Sequence, residues 1–204
     1  RWWIEDGSKL NKMLKDYKIT EDIKFILKRD YKINYIKQSL IESLKVDSVN
    51  AEKLDSLNSL GWEISSLSQK NNLLEVSVFN GYQIQPNQLN ELLEIKDNIT
   101  WLNLGNQNLT DDDLYLISKF KNLTRLRIEN NSISDLGIEY LIALPNLLSL
   151  NVINTSITDK SIKHIKNLNS LQKIFIWKTN ISQSAIEELK NTQIKLTIIG
   201  DELL

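Results

Sequence analysis

The stretch that decides the fold runs from Ile99 to Asn122 and reads ITWLNLGNQNLTDDDLYLISKFKN. The next three stretches of the chain align with it without a gap, and they are Leu123–Asn146, Leu147–Ser170 and Leu171–Ile194. Each stretch has 24 residues. A constant period of this length is typical of a fold in which one small unit is stacked on the next.

Seven positions of the unit hold apolar side chains in almost every copy. Twenty-seven of the 28 residues in these columns are apolar. A composition with 41% apolar residues would give about 11 by chance, so the period belongs to the fold. Read along the unit, the columns are Ile99, Leu123, Leu147 and Leu171; Leu102, Leu126, Leu150 and Ile174; Leu104, Ile128, Val152 and Ile176; Leu109, Ile133, Ile157 and Ile181; Leu114, Ile138, Ile162 and Ile186; Ile117, Leu141, Ile165 and Leu189; and Phe120, Leu144, Leu168 and Thr192.

The spacing inside the unit predicts a strand followed by a helix. Leu102 and Leu104 are two residues apart, as on one face of a short strand. Leu114, Ile117 and Phe120 are three apart, as in the buried stripe of a helical turn. A hydroxyl side chain that accepts free N–H groups of a first turn precedes each helix, so we predict four N-caps: Thr110, Ser134, Thr158 and Ser182.

The pattern Leu-x-x-Leu-x-Leu, continued by a small polar and then an apolar residue, resembles the leucine-rich repeat family. The resemblance implies an α/β solenoid with a parallel concave sheet and short convex helices. Its ninth position, usually an inward-facing Asn in this family, holds Gln107, Asn131, Thr155 and Thr179. Thr in two of these slots resembles a bacterial variant with Thr-x-Ile-Thr-Asp turns. We interpret all four residues as structural, because the backbone of a buried turn needs hydrogen-bond partners.

The sequence divides into four parts. Residues 99–194 are the four repeats, and residues 49–98 are an N-terminal cap with a degenerate first repeat, in which Gly81 offers a loose turn. Residues 195–204 are a C-terminal edge strand and an acidic tail. Residues 1–48 are a helical segment, interpreted either as a cap over the first repeat or as the tail of an upstream domain. Since the chain begins at Arg1 without Met, we expect it to be an excised fragment.

A second resemblance concerns the wider protein. Trp3-Ile4-Glu5-Asp6-Gly7 resembles the closing helix of a small c-type cytochrome domain. Leu60-Gly61-Trp62-Glu63-Ile64 and Ile174-Phe175-Ile176-Trp177-Lys178-Thr179 are similar to the C-terminal region of bacterial membrane proteins, from Planctomycetes and Bacteroidetes, in which a cytochrome-like domain precedes leucine-rich repeats. The resemblance implies a periplasmic or cell-envelope location, with a cytoplasmic one as the alternative. With no Cys in the chain, the Cys-x-x-Cys-His haem attachment does not lie in it.

Composition favours a recognition module over an enzyme. The 25 basic and 26 acidic residues give a net charge of −1, which provides no global attraction to nucleic acid. No apolar run approaches the ~18 residues needed to cross a bilayer. His164, the one histidine, is predicted to lie on the solvent side of a helix. With no Cys and no second His, the usual zinc sites and His-assisted nucleophiles are missing. We therefore expect no catalysis and no cofactor.

Function is then expected on the side chains that flank the buried Leu positions of the strands. Aromatic residues and Arg are enriched at protein-binding hot spots. The predicted partner-binding residues are Trp101, Arg125, Arg127, Asn151, Lys173, Phe175 and Trp177. The favoured hypothesis is a module that binds a protein, or the upstream domain of its own polypeptide, through the concave face. The alternatives are a carbohydrate-binding module, in which a Trp stacks on a sugar ring, and a structural spacer.

Overall fold

The computed structural model describes residues 44–67, 71–85 and 87–200. The chain divides after Leu44 into two units, and the second begins at Lys45. Most of the predicted N-terminal helical segment lies outside the described residues, as does the acidic tail at Asp201 and Glu202. The boundary between residues 48 and 49 stays a prediction.

The described part alternates strands with short helices. The strands are β1 (Trp62–Ser66), β2 (Leu74–Val78), β3 (Ile99–Asn103), β4 (Arg125–Arg127), β5 (Ser149–Asn151), β6 (Lys173–Phe175) and β7 (Thr197–Ile199). The α-helices are α1 (Ala51–Ser59), α2 (Asp111–Ile117), α3 (Asp135–Tyr140), α4 (Ile162–Lys166) and α5 (Gln183–Thr192). Turns of 3-10 helix cover Gln88–Ile95, Leu141–Ala143 and Asp159–Ser161.

All seven strands form one sheet in the order β1-β2-β3-β4-β5-β6-β7. From β2 to β7 neighbouring strands are parallel, and from β3 to β6 they pair with the predicted 24-residue offset, as in Leu102 with Leu126. The prediction of a parallel sheet is wrong for β1, which pairs antiparallel with β2. β1 ends at Ser66 and β2 begins at Leu74, and so short a connection joins antiparallel neighbours, whereas parallel strands need a longer crossover.

The predicted apolar columns form the core. Of the 28 positions, 27 are buried, and the exception is Thr192, the one that is not apolar. The degenerate first repeat also contributes Leu74, Val76, Leu89, Leu92 and Ile95. Leu60 is 37% exposed because α1 ends at Ser59 and Gly61 turns with a φ of 92°. Strand and helix are therefore held by one core along the repeats.

Three of the four predicted N-caps are confirmed by a side-chain cap hydrogen bond, while Thr110 lies at the N-cap position of α2 and donates its hydroxyl to Asp113 at 3.1 Å. The Asp that follows each of the first three cap residues has an additional role. Ser134, Thr158 and Ser182 accept backbone N–H groups of their own helices. Asp135 accepts hydrogen bonds from the backbone N–H of Thr158 at 2.8 Å and from its hydroxyl at 2.7 Å. Burial by itself would raise the pKa of Asp135, but hydrogen bonds donated by Ser161 and Thr158 lower it below the ordinary value. The same bridge joins Asp111 to Ser134 and Asp159 to Ser182.

The ninth position carries the structural role predicted for it. The side-chain amide of Asn131, 7% exposed, donates to the carbonyls of Leu104 and Ile128, both at 2.9 Å. Its carbonyl oxygen accepts the backbone N–H groups of Gln107 at 3.0 Å and Leu109 at 2.9 Å. One side chain therefore satisfies the turns of two consecutive repeats.

Candidate functional site

The candidate site is the outer face of the sheet, defined as the side chains that alternate with the buried Leu and Ile positions. Strand pairing aligns these side chains in columns that run across the repeats. On β3 to β6 the first column is Trp101, Arg125, Ser149 and Lys173, and the second is Asn103, Arg127, Asn151 and Phe175. The corresponding third positions, two residues further along, are Gly105, Glu129, Ile153 and Trp177. All seven predicted partner-binding residues belong to this face, and their role in binding stays a prediction.

Trp101 and Arg125 form a stacked pair at the start of the face. They are direct neighbours on β3 and β4, and the Arg125 guanidinium carbon lies 4.1 Å from the centroid of the Trp101 ring. Burial against the ring lowers the pKa of Arg125 and Arg127 adds to this, while the opposite charge of Glu75 acts to raise it. The guanidinium keeps its charge at any physiological pH. The stack holds a charged group in a fixed place on the surface.

Arg127 is held by a carboxylate of its own strand region. Its guanidinium pairs with Oε1 of Glu129, and 49% of the Arg127 side chain remains exposed. Glu129 extends across Gly105, where an added Cβ would lie 2.8 Å from the carboxyl carbon. The other carboxylate oxygen of Glu129 is buried and accepts no hydrogen bond from the described residues. Because Gly105 has no side chain, there is space for Glu129 to reach Arg127, and this ion pair restricts the position of the Arg127 guanidinium.

The last described repeat carries the aromatic end of the face. Phe175 is partly buried and Trp177 is 38% exposed. The ammonium of Lys173 lies 5.3 Å from the centroid of the Phe175 ring, and that of Lys178 lies 4.4 Å from the Trp177 ring. Gly200, with a φ of 107°, lies against Trp177, since an added Cβ would be 2.7 Å from its backbone nitrogen. The strand therefore places two aromatic rings and two cations together.

Asn151 differs from the other predicted site residues because part of its side chain is used locally. Its side-chain oxygen accepts the backbone N–H of Ile153 at 3.0 Å. Asn103 makes a longer contact of the same kind with Gly105, at 3.4 Å. The predicted residues also fall into separate groups: Trp101 with Arg125 on β3 and β4, and Phe175 with Trp177 at β6. With neighbouring strands ~4.8 Å apart, Trp101 is ~14 Å and Arg125 ~10 Å from β6 across the sheet.

Sequence reasoning missed Lys178. It occupies the eighth position of the unit, which holds Asn106, Asn130 and Asn154 in the other repeats. All four residues have a left-handed backbone, with φ between 52° and 61°. The Asn amides form a chain, with Asn130 donating to Asn106 at 2.9 Å and Asn154 donating to Asn130 at 2.8 Å. Asn tolerates this conformation and Lys does not favour it. The break in an otherwise regular column was the signal in the sequence.

An exposed aromatic pair on the helical side was also missed. Tyr115 is 55% exposed, and its ring meets that of Tyr140 edge to face with centroids 5.5 Å apart. The Lys119 ammonium lies 5.0 Å from the Tyr115 ring. The other repeats have Glu139, Lys163 and Glu187 at the position of Tyr115. Tyr115, Tyr140 and Lys119 therefore give the helical side an aromatic and basic surface that can be compared with the outer face of the sheet.

His164 is the clearest correction. The prediction of a solvent-side position is wrong, because the side chain is buried and its Nε2 lies 3.8 Å from Oε2 of Glu139 in the preceding repeat. A 3-10 turn with three residues per turn leads into α4 and changes which side chains face inward. Within the described ranges no three His, Asp or Glu side chains are grouped to hold a metal ion. No helix in that part of the chain is long and apolar enough to cross a bilayer.

Comparison with known proteins gives similarity to solved structures. No protein-family model matches the chain, and no curated protein does. An internalin from Listeria monocytogenes is 24% identical with a TM-score of 0.45, over 57% of this chain and 32% of the internalin chain. Actin-binding site 2 of leiomodin-1 is 16% identical with a TM-score of 0.46, over 57% of this chain and 79% of that one. The chain thus spans about a third of the length of the internalin.

Proposed function

We propose that this chain is a non-catalytic protein-interaction module, in which a leucine-rich-repeat solenoid binds a protein partner through the outer face of its sheet as its concave surface. The observation that carries the proposal is the set of half-exposed aromatic and basic side chains on that face. Trp101 and Arg125 stack on each other, and Phe175 and Trp177 stand beside two Lys residues. Trp, Tyr and Arg are the residue types that dominate hot spots.

The residues that stabilise the fold are different from those of the outer face, and this supports the proposal. The fold rests on the buried columns, on Asn131 and on the Asp bridges between repeats. No residue of the outer face belongs to the core cluster. Large aromatic side chains at such positions leave apolar area in water, which a partner would cover. Rigid strands also hold the groups in place before binding, which lowers the entropic cost of association.

Two further parts of the hypothesis stay predictions. The upstream cytochrome-like domain that the sequence resemblance implies is one candidate for the partner. A location at the cell envelope goes with that candidate. Neither part is needed for the outer face to bind a protein.

The test compares matched surface variants on a protein array and on a glycan array. One protein carries Trp177→Ala and Arg127→Ala on the outer face. The control carries Tyr115→Ala and Lys119→Ala on the helical side, and thus loses one aromatic and one cationic residue from the other surface. We expect protein ligands of the unsubstituted chain to be lost by the first variant and kept by the second.

Three results would contradict the proposal. Protein ligands that both variants keep would place binding elsewhere on the chain. If the unsubstituted chain binds glycans and no protein, and the outer-face variant loses the glycans, the carbohydrate-binding alternative is favoured. If the unsubstituted chain binds nothing on either array, the spacer interpretation gains, since it requires no ligand.

A further inference from the structure

We propose that the occupant of the outer face is an acidic, extended peptide segment whose carboxylates lie on Arg125, Lys173 and Lys178 and whose apolar side chains cover Phe175 and Trp177. The inference rests on the proposed function and names the chemistry of its partner. Its basis is the local balance of charge on the face.

The outer face from β4 to β6, extended to Lys178, holds four cations and one carboxylate. The cations are Arg125, Arg127, Lys173 and Lys178, and the carboxylate is Glu129. The chain as a whole has a net charge of −1, so the excess positive charge is local. Such an excess attracts and orients an acidic partner.

Three of these four cations lie over aromatic rings and form no ion pair within the described ranges. They are Arg125 over Trp101, Lys173 over Phe175 and Lys178 over Trp177. Elsewhere in the described residues, Lys53 pairs with Glu94 and Lys166 with Glu188, whereas Lys119 lies over the Tyr115 ring on the helical side. A cation held over a ring keeps its charge available to a carboxylate of the partner.

Lys178 adds an independent argument from the backbone. Its φ of 57° is the left-handed conformation that the other repeats give to Asn. A Lys there costs stability relative to Asn, and it ends the chain of Asn amides that runs from Asn106 to Asn154. Locally unfavourable residues that the fold does not need point to function.

The charge of the outer face changes along the strand order, and the span of the face sets the length of a peptide that covers it. Besides Glu129, the face has two acidic residues, Glu63 on β1 and Glu75 on β2, so its charge changes from negative to positive along the strand order. Trp101 aligns with Lys173 three strands away, about 14 Å across the sheet, and Trp177 lies further along the chain, so an extended segment at ~3.3 Å per residue needs at least about five residues to cover both Trp side chains. A short peptide whose acidic residues lie at β6 would therefore complement the charge of the outer face. A nucleic acid would find acidic repulsion at the other end.

The test measures binding of three fluorescent eight-residue peptides to the full chain by anisotropy. The first alternates Glu with Leu, the second replaces each Glu by Gln, and the third replaces each Glu by Lys. We expect the acidic peptide to bind about tenfold tighter than the Gln peptide, and added salt to weaken it. The double variant Lys173→Glu and Lys178→Glu should lose about tenfold or more in affinity.

Two controls separate a specific site from general attraction. Lys163→Glu makes the same type of change on an exposed residue of α4 and should leave the affinity unchanged. Lys173→Gln with Lys178→Gln removes the cations without adding acidic groups, in case the Glu variant folds poorly, and should also weaken the acidic peptide. Thermal melts verify that each variant is folded.

Each other outcome overturns the inference. Equal binding of the Gln or Lys peptide to the outer face would remove the acidic preference and leave the proposed function intact. Equal loss in Lys163→Glu would show non-specific attraction, and tighter binding of a single-stranded DNA oligonucleotide would show a different ligand class. If no peptide binds while the arrays give outer-face protein ligands, the inference fails alone, and if both are silent the proposed function fails with it.

Discussion

Replacing Lys178 by Asn is expected to stabilise the protein while it weakens binding of the acidic peptide. Lys178 has a φ of 57°, close to the values of 56° and 52° at Asn130 and Asn154. A left-handed conformation costs an ordinary residue about 1–2 kcal/mol, and Asn avoids part of that cost. An Asn at this place would also be positioned to extend the amide chain, with Asn154 as acceptor. Together these effects predict a gain of about 1 kcal/mol in the free energy of unfolding.

The assay is urea unfolding of the full chain followed by far-UV circular dichroism. With a slope of ~2 kcal/mol per molar urea, the gain raises the midpoint by about 0.5 M. Lys178→Gln is the control, because Gln also loses the charge but has no preference for a left-handed backbone. Its midpoint should stay near that of the unsubstituted protein, as for an ordinary surface substitution. Equal midpoints for the Asn and Gln variants would refute the backbone argument, and undiminished peptide binding by both would refute the role of the ammonium.

Three other predictions concern the framework that holds the site. Asn131→Ala leaves the backbone N–H groups of Gln107 and Leu109 without their hydrogen-bond acceptor. It should lower the free energy of unfolding in urea by about 2–6 kcal/mol. Leu126→Ala should cost about 2–5 kcal/mol by the same measurement because its side chain is fully buried, whereas Lys173→Ala, on the outer face of β6, should stay within about 1 kcal/mol; a reversed order would show that the assignment of the outer face is wrong. The folded-state pKa of Asp135 is lowered, so its stabilisation is present above its ordinary pKa of 3.8 and is lost as the pH falls through the folded-state value. The difference in thermal stability between the unsubstituted protein and Asp135→Asn should therefore shrink from pH 7 to pH 3, and a constant difference would contradict this.

The period alone was enough to predict the sheet register. Since each copy has the same length, Leu102 must meet Leu126, and the strand pairing confirms this offset. N-caps such as Ser134 were predictable because a hydroxyl before a helical stripe has one common use. The last described strand, Thr197–Ile199, pairs with β6 at the edge of the sheet.

The predictions from sequence are wrong where the repeat period is broken, or where a turn before a helix determines which way a side chain points. β1 precedes the regular repeats, so no period predicted that it runs antiparallel. His164 follows a 3-10 turn that the sequence pattern did not indicate, and it faces inward as a result. The bridge from Asp135 to Thr158 joins residues 23 positions apart, so the local sequence shows only that a carboxylate begins a helix.

The candidate site follows from a contrast between columns of the repeat. Leu126, Leu150 and Ile174 fill the same buried place in successive units, and this similarity keeps the backbone positions constant. The outer positions beside them can then change freely, from Arg127 to Phe175 within one column, because the core does not depend on them. Variation in those columns is therefore compatible with many ligands and by itself indicates none.

The eighth position gives stronger information, because there the fold does have a preference. Asn satisfies both the left-handed backbone and the neighbouring amide, as the bonds between Asn106, Asn130 and Asn154 show. Lys178 satisfies neither, and its ammonium lies 4.4 Å from the Trp177 ring at the aromatic end of the outer face. A residue that the fold disfavours, placed beside an exposed aromatic residue of that face, is best explained by contact with a partner. Binding should therefore first be tested at the last described repeat, and only then at the stack of Trp101 and Arg125.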